Sequence, residues 1–142
     1  MDLQDKGLKK SIYNGFAKYN QIELVEMVPD RAVFRVEIRE ENKNPFGMLH
    51  GGAIYTLADQ ATGTAAHTDG RTYVTQTSAM HFLRNQAEGV VYATGTVRHR
   101  GRSTVLTAVD ITSEDGKLIA TGEFTFFCVD KALIDAKVKQ EG

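Results

Sequence analysis

Apolar and polar residues change their period several times along this chain, and each change marks an element. Over residues 31–39, Phe34, Val36 and Ile38 alternate with Arg35, Glu37 and Arg39, the two-residue period of a strand with one buried face. Over residues 53–67 the period lengthens, and Ile54, Leu57, Ala58, Ala61 and Ala65 share one face of a 3.6-residue helix. Residues 73–83, 90–99 and 103–112 are rich in β-branched and aromatic types, and the Asp115-Gly116 turn leads into a last strand over 118–129. Residues 9–18 carry a weak helical pattern through Ile12, Tyr13, Phe16 and Ala17, and residues 130–140 read as a short helix or a frayed end.

One long helix between a first strand and a run of antiparallel strands predicts an α+β domain whose sheet covers the helix. Pro29 and Pro45 both fall in segments that read as loops, and no repeat or linker divides the sequence. Residues 1–142 are therefore expected to form a single domain, long enough to bury one core.

Bulk composition narrows the class of protein. With 42% hydrophobic and 25% charged residues the chain has an ordinary globular balance, and its net charge of -1 offers no basic field for nucleic acid. Cys128 is the only cysteine, so no internal disulfide forms. The start MDLQDKGLKK lacks the apolar core of a signal peptide, and no apolar run nears the roughly 20 residues that span a bilayer. A cytoplasmic protein with neither membrane nor nucleic-acid partner is expected.

The unusual segment runs from Asn44 through Pro45, Phe46, Gly47, Met48, Leu49 and His50 to Gly51 and Gly52, directly into the helix that carries Asp59. Two glycines at a helix start let backbone approach a ligand, and the free N–H groups and dipole there favour negative charge. An acyl carbonyl on the Gly51 N–H would be stabilised most as it becomes a tetrahedral oxyanion. The same glycines also serve as a tight loop-to-helix turn, His50 as a hydrogen-bonded structural residue, and Asn44 before Pro45 as a turn former. On the helical wheel Asp59 lies opposite the Ile54/Leu57/Ala61 face, where solvated carboxylates sit. Thr56, Gly63 and Ala66 are read as its small neighbours, which suits an interface better than open water. Asp59 follows Gly51 by eight residues, about 12 Å along a helix, so the two reach one carbonyl only from different subunits.

The stretch NPFGMLHGGAIYTLAD, residues 44–59, resembles the signature of PaaI-like (phenylacetate-degradation) hotdog-fold acyl-CoA thioesterases. HFLR at 81–84 and RHRGRST at 98–104 also resemble strands of that family, so the likeness spans about residues 20–128. It implies a hotdog fold, an antiparallel sheet wrapped around one central helix, in dimers with a continuous sheet that commonly pair into tetramers. It further implies that Gly51 donates its N–H to the thioester oxygen, with His50 and Asn44 positioning that loop. Asp59 of the facing subunit would be nucleophile or general base, with Thr75 or Thr77 beside the attacking water. Where relatives often read FLRP this chain has Asn85, which leaves the loop after Arg84 open.

Coenzyme A brings phosphates, and Arg98, Arg100, Gly101, Arg102 and Ser103 offer guanidinium and backbone donors for them. The same cluster also reads as a solvated hairpin whose charges protect sheet edges. No cofactor is implied beyond the coenzyme A of the substrate, and no metal: His50, His67, His81 and His99 form no HExxH pair. A G-x-S-x-G elbow, a P-loop and a G-x-G-x-x-G fingerprint are all missing. The rival readings are a hotdog hydratase or dehydratase acting on the same thioesters and a non-catalytic acyl-CoA sensor. The acyl group, aromatic or short to medium chain, stays open.

Overall fold

The computed structural model describes residues 15–129. A single turn, α1 (Phe16–Tyr19), precedes a hairpin of β1 (Glu23–Val28) and β2 (Arg31–Glu37). After a 3-10 turn at Glu40–Asn42, the helix α2 (Gly51–His67) is followed by β3 (Thr72–Phe82), β4 (Val90–Arg100), β5 (Thr104–Ser113) and β6 (Leu118–Val129). The six strands form one antiparallel sheet in the order β1-β2-β4-β5-β6-β3, so β1 and β3 are its edges.

The core lies where the apolar stripe of α2 meets one face of this sheet. Ile54, Leu57, Ala58, Ala61 and Ala65 are buried against Phe34 and Val36 of β2, Val91 and Ala93 of β4, Val109 and Ile111 of β5, and Phe124 of β6. The alternate residues of each strand face away from the helix. Burying each of the larger side chains contributes roughly 1.5–3 kcal/mol. At the centre the packing is tighter than side chains allow, because a Cβ on Gly95 of β4 would stand 2.7 Å from the carbonyl carbon and oxygen of Ala61. Helix backbone rests directly on strand backbone there.

Two irregularities in the sheet change which way its side chains point. The β3–β6 register shifts between Thr75 and Thr77, making Gln76 a bulge residue. Tyr73, Thr75, Ser78, Met80 and Phe82 consequently face the helix side, and Thr77, Ala79 and His81 face the other. The β4–β5 register likewise shifts between Val97 and His99.

The expected α+β architecture is the observed one, with differences at the boundaries. β1 was not among the expected strands; its alternation is broken by a register shift between Leu24 and Glu26, which puts Leu24 and Val25 side by side as apolar neighbours. The helix begins two residues before Ala53. Of the expected helix over residues 9–18, the described part is the turn at Phe16–Tyr19; the remainder, like the segment 130–140, lies outside the described residues. No helix among the described residues is long and apolar enough to cross a membrane.

Gly95→Ala should destabilise the protein by about 1–3 kcal/mol, since the methyl group meets backbone that cannot rotate away. A lower urea midpoint at unchanged slope would show this, and an unchanged midpoint would mean the helix can lift off β4 at no cost.

Candidate active site

Of the first four N–H groups of α2, three are paired and one is not. His50 is the N-cap, with extended backbone, and its Nδ1 accepts from the Gly52 N–H at 2.8 Å. That bond requires an unprotonated Nδ1, which leaves the proton of the neutral ring on Nε2. The His50 carbonyl accepts from Ala53 at 2.9 Å and Ile54 at 3.1 Å. The Gly51 N–H has no acceptor among the described residues. It is an open donor at the positive end of a 17-residue helix.

The loop before it is tied to itself by Asn44. Its side-chain oxygen accepts from the N–H groups of Phe46 (2.9 Å) and Met48 (3.1 Å), and its backbone exchanges bonds with Met48 and Gly47. Two donors on one atom identify that atom as the amide oxygen, so the NH2 group is left to donate elsewhere. Asn44 and His50 thus both hold the loop that aims Gly51. The ring of Phe82 lies 3.8 Å from where a Gly51 Cβ would be, giving the open amide an apolar wall.

Asp59 lies on the exposed face of α2, with Thr56 and Gly63 beside it. Ala66, expected on the same face, is instead fully buried in the core; a straight helix turns it past the boundary of the exposed strip. Thr75 donates its hydroxyl to Asp59 Oδ1 at 3.0 Å. Thr77 falls on the opposite side of β3 because of the bulge at Gln76. Desolvation by the surrounding protein raises the Asp59 pKa above the ordinary aspartate value, and the Thr75 hydrogen bond acts in the lowering direction. Between Gly51 and Asp59, the Tyr55 hydroxyl is hydrogen-bonded to Ser78 and its ring meets Phe124 edge-on. This aromatic pair was visible in the sequence only as a helical tyrosine.

The expected basic cluster is dispersed by the sheet. Arg98, at the β4 irregularity, joins His81, Asp110 and Glu123 around a depression of about 310 Å3 on the face away from the helix. Arg100 turns to the other side, where its guanidinium bonds the carbonyls of Ala65 and Ala66, the hydroxyl of Tyr73, and the carboxylates of Asp69 and Asp30. There it caps the C-terminus of α2. Burial and the bond to Asp69 push the Tyr73 hydroxyl up to about 12. Gly101 makes the tight turn, where a Cβ would lie 2.9 Å from the Thr104 carbonyl, and Arg102 and Ser103 are exposed at its tip. Arg71 bonds the carbonyls of Gly101 and Arg102, tying this hairpin to the start of β3. No group of three His, Cys, Asp or Glu side chains among the described residues is arranged to hold a metal ion.

The chain and its fold are similar to those of known proteins. Residues 46–120 match the family model of the thioesterase superfamily. The 1,4-dihydroxy-2-naphthoyl-CoA hydrolase of Listeria monocytogenes serotype 1/2a (strain 10403S) is 32% identical over 124 residues, which cover 84% of this chain and 94% of that protein. The acyl-coenzyme A thioesterase PaaI of Escherichia coli (strain K12) is 30% identical over 73% of this chain and 75% of its own length. A solved structure of the E. coli PaaI protein superimposes with a TM-score of 0.78 at 27% identity, covering 80% and 83% of the two chains. The Streptococcus mutans UA159 protein smu.793, solved bound to acetyl CoA, gives a TM-score of 0.74 at 27% identity, over 78% of this chain and 90% of that one. The antiparallel sheet packed on one long helix is the frame of a hotdog-fold thioester hydrolase. This chain belongs to the thioesterase superfamily, with PaaI among its relatives.

Thr75→Val keeps the shape of the side chain but removes the donor that stabilises the Asp59 carboxylate, so the pKa of Asp59 rises further. The acidic limb of the kcat–pH profile should move to higher pH in this variant. An unmoved limb would mean that another group titrates in the rate-limiting step.

Proposed function

We propose that the protein hydrolyses acyl-CoA thioesters to the free acid and coenzyme A, at sites shared between two subunits. The open Gly51 N–H carries this reading. A thioester oxygen seated on it would accept a hydrogen bond that strengthens as negative charge develops, reinforced by the helix dipole and by the apolar Phe82 ring. Asp59 supplies the second function through Oδ2, the oxygen that Thr75 leaves open. It either takes a proton from the attacking water, after which the tetrahedral oxyanion collapses and expels the coenzyme A thiolate, or attacks the carbonyl itself and expels the thiolate to leave a mixed anhydride that water hydrolyses. Its raised pKa makes it the stronger base in both cases.

Both groups lie on α2, eight residues or about 12 Å apart along its axis, so they serve one carbonyl only if a second subunit brings its own helix alongside. The edges of the sheet support such a pair. β1 is short and carries Glu23 and Glu26, as protected edges do, whereas β3 has 11 residues with neither a charge nor a proline. Phe82, at one end of β3, lies by Gly51, and Thr75, near the other, holds Asp59. Antiparallel pairing of β3 with its own copy about Ser78 and Ala79 would set the Gly51 end of each subunit against the Asp59 end of the other. Gly63 fits the same reading: a Cβ there would meet only the Phe126 ring at an ordinary 3.6 Å, so no atom of its own subunit demands a glycine. In this arrangement Gly101, Arg102 and Ser103 are the available contacts for coenzyme A phosphates, because Arg100 is committed to the helix end and Arg98 faces the other way.

The reading is tested by thiol release from a panel of aromatic and aliphatic acyl-CoAs. Asp59→Ala and Gly51→Pro should each lower kcat about 10²–10³-fold. Proline suits the first position of a helix, and the extended His50 before it is compatible, so Gly51→Pro removes the N–H while the fold is kept. Mixing the two variants as separate subunits should restore about a quarter of the original activity, since half the dimers are hybrid and each hybrid has one intact site. No recovery in demonstrably mixed dimers would refute the shared site, and acyl-CoA binding without thiol release would favour a sensor or a hydratase.

A further inference from the structure

The loop that aims Gly51 is also held from outside, by a residue that takes no part in the hydrolysis itself. Leu49, fully buried, donates its N–H to the Gln86 carbonyl at 3.1 Å, and its own carbonyl accepts from Asn85 Nδ2 at 2.9 Å. The Asn85 side-chain oxygen accepts from the Gln86 N–H at 2.8 Å. With a carbonyl acceptor on one atom and an N–H donor on the other, the orientation of this amide is fixed by chemistry. Its base is firm, because the N–H groups of Leu83 and Arg84 both bond the Ile119 carbonyl of β6, at 2.8 and 3.0 Å.

These bonds converge on the peptide planes that precede the open amide. The plane joining Leu49 to His50 is held at its carbonyl by Asn85 and at its N–H by the Asn42 carbonyl, 2.8 Å away. The next plane, joining His50 to Gly51, has its carbonyl fixed by Ala53 and Ile54 and carries the Gly51 N–H on its other side. Gly51 has no side chain to resist rotation of that plane, so its direction depends on the bonds around it. We propose that Asn85 is a positioning residue for acyl transfer, fixing the Leu49–His50 plane so that the Gly51 N–H points where the oxyanion forms. This rests on the reading of Gly51 as oxyanion donor. A proline at this position has no side-chain donor and cannot make the bond.

A misaimed oxyanion donor weakens the transition state more than the bound substrate, so the signature lies in kcat rather than KM. In the full-length protein, Asn85→Ala and the nearly isosteric Asn85→Asp should each lower kcat about tenfold while KM stays within about twofold and the oligomeric state is unchanged. Amide hydrogen exchange at Leu49 and His50 should quicken about tenfold in both variants, with protection on β4 and β5 unaltered. Asn85→Asp keeps the size of the side chain and serves if the alanine variant fails to fold. Unchanged kcat, or a loss no greater than the fraction unfolded, would overturn the proposal, as would unchanged exchange at Leu49 and His50. Should the parent protein release thiol from no acyl-CoA, the functional reading fails on that result, and the exchange rates still decide whether Asn85 holds the loop.

Discussion

Much of the molecule depends on the contact between Gly95 and Ala61, where the backbone of the central helix lies on the backbone of β4. Close approach at this point sets the apolar stripe of α2 directly on the sheet face that carries Phe34, Val91, Val109 and Phe124. It also sets the rotation of the helix. With Ile54, Leu57, Ala58 and Ala61 turned inward, Thr56, Asp59 and Gly63 face out beside β3, and the N-terminus points into the Asn44–His50 loop. A bulkier contact would move the carboxylate and the open amide together, because both ride on the same rigid cylinder.

Polar groups near the helix start follow a similar economy. His50 satisfies three of the first four helical donors with one side-chain nitrogen and one carbonyl, and Asn44 satisfies two loop donors with one oxygen. The remaining donor is the one that an acyl oxygen would need. Because the loop is held by Asn44 from within and by Asn42, Asn85 and Gln86 from outside, stabilising a new negative charge there requires little rearrangement, which is the condition under which a backbone dipole is most effective. Thr75 plays a comparable part at Asp59, steadying one carboxylate oxygen while partial desolvation raises the pKa of the group.

The fold was legible where the period of the sequence was clean. The alternation of β2 and the helical stripe of α2 needed no tertiary information, and the exposure of Asp59 followed from the same wheel. Irregular places hid more. The bulge in β1 broke its alternation and concealed the strand, and the small rotation that buries Ala66 lies within the error of any helical wheel. The arginines at 98, 100 and 102 formed a cluster in sequence, but the register shift at Arg98 turned Arg98 and Arg100 to opposite sides of β4 and Arg102 lies beyond the strand at the hairpin tip. Asn85 was noticeable only as a departure from a family pattern, and its partner is 36 residues away.

The bulge at Gln76 has a consequence for how this strand tolerates change in length. Before it, odd-numbered residues face the helix; after it, even-numbered ones do. One extra residue has therefore been absorbed as a shift of reading frame, letting a single edge strand present Thr75 to Asp59 and Ser78 to Tyr55 from the same side. Deleting Gln76 would bring the Thr75–Phe126 and Thr77–Thr125 pairs into direct succession in a regular ladder, so neither half would have to slide against β6 and both hydroxyls would keep their side. Away from the bulge, insertions and deletions in β3 are governed by parity rather than by bulk: paired changes preserve the inside and outside of the strand, single ones exchange them, and only the bulge position can absorb a single change.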